Sequence, residues 1–115
     1  MLRRLFTALI LAVMPMAALA HGALERAVPK AGSVVKAAPA EVKLRFSEKL
    51  EVKFSTAEVT DAAGQRVEAG PVQAEANSLV VPLKPLAPGI YTVTWRVVSV
   101  DTHATAGRFT FEVRP

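Results

Sequence analysis

The feature that most constrains this chain is a two-residue alternation of apolar and polar side chains, repeated in short runs. In Glu41–Phe46, Val42, Leu44 and Phe46 share one face while Glu41, Lys43 and Arg45 share the other. Successive side chains of an extended strand point to opposite faces, so such a run buries one side of a sheet and leaves the other in water. The pattern continues at Ala57 and Val59, and again at Leu79, Val81 and Leu83. Tyr91, Val93, Trp95 and Val97 form a longer stripe opposite Thr92, Thr94 and Arg96, and Phe109, Phe111 and Val113 alternate with Thr110, Glu112 and Arg114. A shorter strand is expected at Leu24–Val28. Pro29, Gly32, Pro39, Gly64, Gly70-Pro71, Pro85 and Pro88-Gly89 punctuate these runs, and no stretch has helical apolar spacing of useful length. About seven short strands or more, with turn signals every 8–12 residues, predict an all-β, immunoglobulin-like Greek-key sandwich or barrel. Tyr91, just after Pro88-Gly89 at a strand start, has the placing of a tyrosine corner, whose hydroxyl bonds back to the connecting loop.

The first twenty residues stand apart from this pattern. Arg3 and Arg4 precede an apolar run at 5–13, Pro15 follows, and Ala18-Leu19-Ala20 supplies small residues at a cleavage site. This is the secretory signal pattern, and the apolar run is too short for a permanent membrane span. Arg3-Arg4-Leu5-Phe6 resembles a twin-arginine signal, but the general secretory route is the better reading. Residues 1–20 are therefore expected to leave as a signal peptide, and 21–115 to form one exported β-domain beginning at His21. All three methionines (Met1, Met14, Met16) leave with the leader, and the chain has no cysteine. A disulfide framework is thus excluded, so so small a domain depends on a well-packed core. Setting aside Arg3 and Arg4 leaves twelve basic residues against ten acidic, and no Lys/Arg run follows one strand. Nucleic acid is not an expected partner.

Nucleophilic catalysis finds little support: cysteine is missing, no G-x-S-x-G occurs, and no glycine-rich loop could cradle a phosphate. Attention falls on the two histidines. Asp101 and His103 are two apart, so in extended backbone their side chains leave the same face. An ordinary turn would also explain this segment, since Asp-Thr is good turn chemistry. His21 alone is equally weak, because chain starts are often frayed. Together they say more. A free α-amine has a pKa of roughly 7.7–8.0 and loses its proton to a metal more readily than a lysine does. The amine and imidazole of a terminal histidine can close a chelate ring on one ion. With His103 and Asp101 this gives three nitrogens and one oxygen, a set suited to tetragonal Cu(II). Zinc accepts similar donors but prefers a tetrahedron. Cu(I) favours sulfur, which the mature chain lacks, and a blue-copper centre needs cysteine.

These residues resemble the CopC family of periplasmic copper-resistance proteins. The likeness covers the start at His21, PKAGSVVKAAPAEVKLRFSEKL at 29–50, LAPGIYTVTWRVVSVDTHATAG at 86–107 and the closing FTFEV. Residues 95–103, WRVVSVDTH, carry the most specific match. The resemblance implies a barrel of seven to nine strands in the periplasm holding one Cu(II) per chain through His21, Asp101 and His103. It suggests Glu48 as an acidic neighbour and Trp95 as core packing beneath the site. It also implies a carrier, buffer or chaperone that hands copper to an inner-membrane importer; the chain is expected to act as a monomer and not as an enzyme. Some members hold Cu(I) in a Met- and His-rich loop at the other end, whereas residues 60–76 here contain neither. The enzyme alternative is a copper oxygenase with an N-terminal histidine brace. One Tyr and one Trp, both in core stripes, leave little for a sugar-binding face. A metal-free adhesion module is the third reading.

Overall fold

The computed structural model describes residues 23–115. The expected leader at 1–20 and the expected metal-binding His21 lie outside the described residues. Eight strands form in chain order: β1 (Leu24–Val28), β2 (Val34–Val35), β3 (Glu41–Phe46), β4 (Thr56–Thr60), β5 (Gln73–Glu75), β6 (Ser78–Pro82), β7 (Gly89–Val98) and β8 (Ala104–Val113). They make two four-stranded sheets, ordered β1-β3-β6-β5 and β2-β8-β7-β4. Successive strands cross repeatedly between the sheets, so the architecture is the expected Greek-key sandwich.

Alternation decides which faces meet. Val42, Leu44 and Phe46 of β3 and Leu79 and Val81 of β6 are buried in one inner face. Ala57 and Val59 of β4, Tyr91, Val93, Trp95 and Val97 of β7, and Phe111 and Val113 of β8 are buried in the other. Phe46 meets the edge of Trp95 across the core at 5.1 Å, and Tyr91 stacks on Phe111 at 5.6 Å. Such aromatic contacts add to the burial of large apolar area that stabilises a small domain lacking disulfides. The Tyr91 hydroxyl donates to the Ala87 carbonyl at 2.5 Å, which makes the tyrosine corner.

Three details differ from the sequence reading. β2 is two residues long and pairs in parallel with β8 through Val34 and Val35, too short a run to show a period. β5 contributes Gln73, Ala74 and Glu75 to a sheet edge, where pairing to β6 rather than apolar alternation defines it. β8 also begins earlier than its apolar stripe, at Ala104, because a ten-residue ladder to β7 carries it. Gly107 sits opposite Trp95 in that ladder, and a Cβ there would lie 2.6 Å from Cζ2 of the indole. Trp95 thus lies across a strand position where a side chain would collide with it.

Candidate metal centre

The β7–β8 hairpin carries both described candidate ligands. Its last ladder pair is Val98 with Ala104, and residues 99–103 make the turn. Ser99 N–H donates to the His103 carbonyl at 2.8 Å, and Thr102 N–H donates to the Ser99 carbonyl at 2.8 Å. Thr102 has φ 72°, the left-handed conformation that commonly ends a short hairpin turn. Glycine or asparagine is the usual occupant, and a β-branched residue there is strained. Asp101 and His103 therefore sit in a turn, not in the extended backbone assumed from their spacing, because residues 99–102 close a tight loop. They meet nonetheless: His103 Nδ1 lies 3.7 Å from Asp101 Oδ1. Both side chains are about half exposed, at 57% and 51%, so the pair is open to an ion from solvent.

Asp101 is anchored as well as exposed. Its Oδ1 accepts a very short hydrogen bond from the Ser99 hydroxyl and a longer one, 3.3 Å, from His103 N–H. Ser99 itself is buried, with 1% of its surface exposed. The hairpin is clamped by residues 49–51 of the loop that follows β3. Glu51 N–H donates to the Val98 carbonyl, Val100 N–H donates to the Lys49 carbonyl, and Leu50 bridges Ser99. The same loop ties in the beginning of the described chain, since Ser47 N–H donates to the Ala23 carbonyl at 3.0 Å. Ala23 and the Asp101–His103 turn are thus tethered to one short loop at one end of the sandwich. A bulge in β1, where Leu24 pairs with Phe46 but Arg26 with Arg45, leaves Glu25 extra just beyond this tether. Bulges of this kind re-aim a strand near functional sites.

Among the described residues no three His, Cys, Asp or Glu side chains gather into a metal-binding group. Among the described residues, half-buried Glu48 does not join Asp101 and His103 in such a group. Trp95 is core packing, 8% exposed against Phe46.

The other notable charged cluster is structural. Residues 66–69 join the sheets at one side: Arg66 bridges Thr60 of β4, and Glu68 bridges Leu83 just past β6. Burial pushes the Glu68 carboxyl up, yet its hydrogen bonds and attraction to Arg66 prevail and hold it below the usual carboxylate range. Arg66 donates to Glu68 Oε1 through both Nε and Nη2 and lies 3.6 Å from Glu58. A cleft of about 520 Å³ beside this cluster, lined by Thr56, Glu68 and Lys84 among others, contains neither Asp101 nor His103.

The class the structure defines is a small all-β sandwich domain that carries a histidine and a carboxylate on one exposed, braced hairpin. The CopC domain family model matches residues 24–114, so the chain belongs to the CopC family. It is 40% identical over 107 residues to "Copper resistance protein C" of Escherichia coli, covering 84% of each chain. Among solved structures it resembles CopC from Methylosinus trichosporium OB3b, with a TM-score of 0.76 and 34% identity over 83% of this chain and 95% of that one. It also resembles PcoC, described as a methionine-rich copper resistance protein from Escherichia coli. That match has a TM-score of 0.72 and 43% identity, covering 83% of this chain and all of the other.

Proposed function

We propose that this protein is a periplasmic Cu(II) carrier of copper resistance or supply. Its metal is held by the amine and imidazole of His21 after cleavage at Ala20, together with Asp101 and His103. One observation carries the reading. The hairpin that bears Asp101 and His103 is fastened to residues 49–51 through Val98, Ser99 and Val100, and the Ala23 carbonyl is fastened to Ser47 of the same loop. His21 is two residues before Ala23, and two residues span at most about 7 Å of chain. A span of that length allows the His21 donors to reach the end that bears the pair.

The donor set supports the choice of ion. Two imidazoles, an amine and a carboxylate match the nitrogen–oxygen preference of Cu(II), which also heads the divalent affinity order. PcoC is described as methionine-rich, whereas this chain has methionine only at positions 1, 14 and 16. Without thioether or thiolate donors the oxidised ion is the cargo, one per chain. Amine and imidazole must lose protons to bind, so acid releases the metal. The open, half-exposed pair suits loading and hand-over, and an inner-membrane copper importer is the receiver this reading favours. The protein acts as a monomer and catalyses no reaction.

The test is a competition titration with Cu(II) on protein beginning at His21. Tight one-to-one binding that His103→Ala weakens by at least a hundredfold is expected. Binding unchanged in His103→Ala would overturn the assignment, and ascorbate-driven oxygen consumption well above that of free copper would overturn the carrier role.

A further inference from the structure

Ser99 carries chemistry that the ligand set does not use. It is buried to 1% exposure, yet its side chain is polar and points into the turn that bears the two ligands. Its hydroxyl donates to Asp101 Oδ1 and lies 3.2 Å from the His103 carbonyl, while its backbone N–H donates to that same carbonyl. One buried residue therefore holds the side chain of one ligand and the backbone of the other. Its own position is fixed by the bridge to Leu50, which is buried at 3% exposure, and by the clamp of residues 49–51.

The geometry points to Ser99 as the positioning residue of the metal centre, acting through Asp101. This inference rests on the ligand set proposed above. An aspartate in a solvent-exposed hairpin turn would ordinarily sample several rotamers, and a metal would have to order it at an entropic cost. The Ser99 hydroxyl donates to one carboxylate oxygen before any ion arrives, which removes much of that cost. Partners of this kind orient metal-binding carboxylates, and their loss typically lowers metal affinity about 10–100-fold. Thr102, held in the left-handed conformation, works to the same end. It turns the chain so that Asp101 Oδ1 faces both the Ser99 hydroxyl and His103 N–H.

A double-mutant cycle read by Cu(II) competition titration tests this. It uses the protein beginning at His21 and the variants Ser99→Ala, Asp101→Ala and the pair combined. Ser99→Ala is expected to weaken Cu(II) binding about 10–100-fold and to change the Cu(II) electron paramagnetic resonance spectrum. In the Asp101→Ala background the same change is expected to cost less than twofold, because the residue through which Ser99 acts is gone. Ser99→Thr keeps the donor and is expected to bind within about threefold of wild type; should Ser99→Ala fail to fold, this variant still decides. The inference is overturned if Ser99→Ala binds Cu(II) like wild type. It is equally overturned if the loss is as large without Asp101, or if folded Ser99→Thr loses affinity as Ala does. Tight binding by wild type and its collapse in His103→Ala, with no effect of Ser99→Ala, would sink the Ser99 role alone. Indifference to His103→Ala would sink the ligand set itself.

Discussion

Gly107→Ala places one methyl group against the indole of Trp95, and the structure allows its cost to be worked out. The new Cβ would lie 2.6 Å from Cζ2, 2.9 Å from Cε2 and 3.3 Å from Nε1. Carbon atoms in contact prefer about 3.5–4.0 Å, so the ring must retreat by roughly 1 Å. It has nowhere easy to go. Trp95 is 8% exposed, and its ring meets fully buried Phe46 at 5.1 Å and 69°. Overpacking of this kind costs about 1–3 kcal/mol. Alanine returns about 0.4–1 kcal/mol by restricting the unfolded chain, since Gly107 does not need a positive φ. The net expectation is about 1–2 kcal/mol of destabilisation. In a domain of this size each kcal/mol lowers Tm by about 4–8 °C, giving a fall of roughly 5–15 °C. Urea unfolding followed by fluorescence reads the effect directly, because Trp95 is the single tryptophan. Trp95→Leu should remove the clash, so Gly107→Ala in that background should be neutral or stabilising by circular dichroism. A Gly107→Ala protein as stable as wild type would contradict the close packing of Trp95 against position 107.

Thr102→Asn should relieve the strain of a β-branched residue at φ 72° and raise stability by about 1 kcal/mol, seen as a Tm rise of about 4–8 °C. Copper binding should persist, since asparagine keeps the left-handed turn that aims Asp101 Oδ1 at the Ser99 hydroxyl and His103 N–H. Glu68→Gln should destabilise the fold at neutral pH, and the sign of its pH dependence is set by the lowered carboxyl. With the folded pKa below the unfolded value near 4.3, the Glu68 contribution is complete above that value and is lost as pH falls through the folded pKa. Denaturation curves of wild type and Glu68→Gln should therefore differ at pH 7 and converge in acid; a constant gap down to pH 2 would contradict the assignment.

The sandwich was legible because its core strands bury one face. The stripes from Val42 to Phe46, from Leu79 to Leu83 and from Tyr91 to Val97 all reappear as inner faces. β2 and β5 were not legible because their places come from pairing at sheet edges. Two valines beside β8 and a Gln-Ala-Glu run beside β6 have no local signal. The first half of β8 was missed for a related reason. Ala104, Ala106 and Gly107 look like loop until Trp95 is seen to need the empty position.

The site was read from residue types, and its geometry was read only in part. Aspartate and histidine two apart suggested one face of a strand. A tight turn instead brings them within 3.7 Å, with Thr102 in a conformation that threonine rarely adopts. Ser99 escaped notice because a serine in a hairpin is common, and its burial depends on Leu50, Lys49 and Glu51, half a chain away. The tether from Ser47 to Ala23 was equally invisible, because it depends on where the loop after β3 lies in the fold.

In the proposed function signal cleavage creates the ligand, because only a cut after Ala20 frees the chelating amine of His21. The most direct measurement compares Cu(II) affinity, by chelator competition at pH 7, for protein beginning at His21 and protein with one extra residue before it. The extension is expected to weaken binding by several orders of magnitude, since the amine becomes an amide. Equal affinity in the two forms would contradict this ligand assignment.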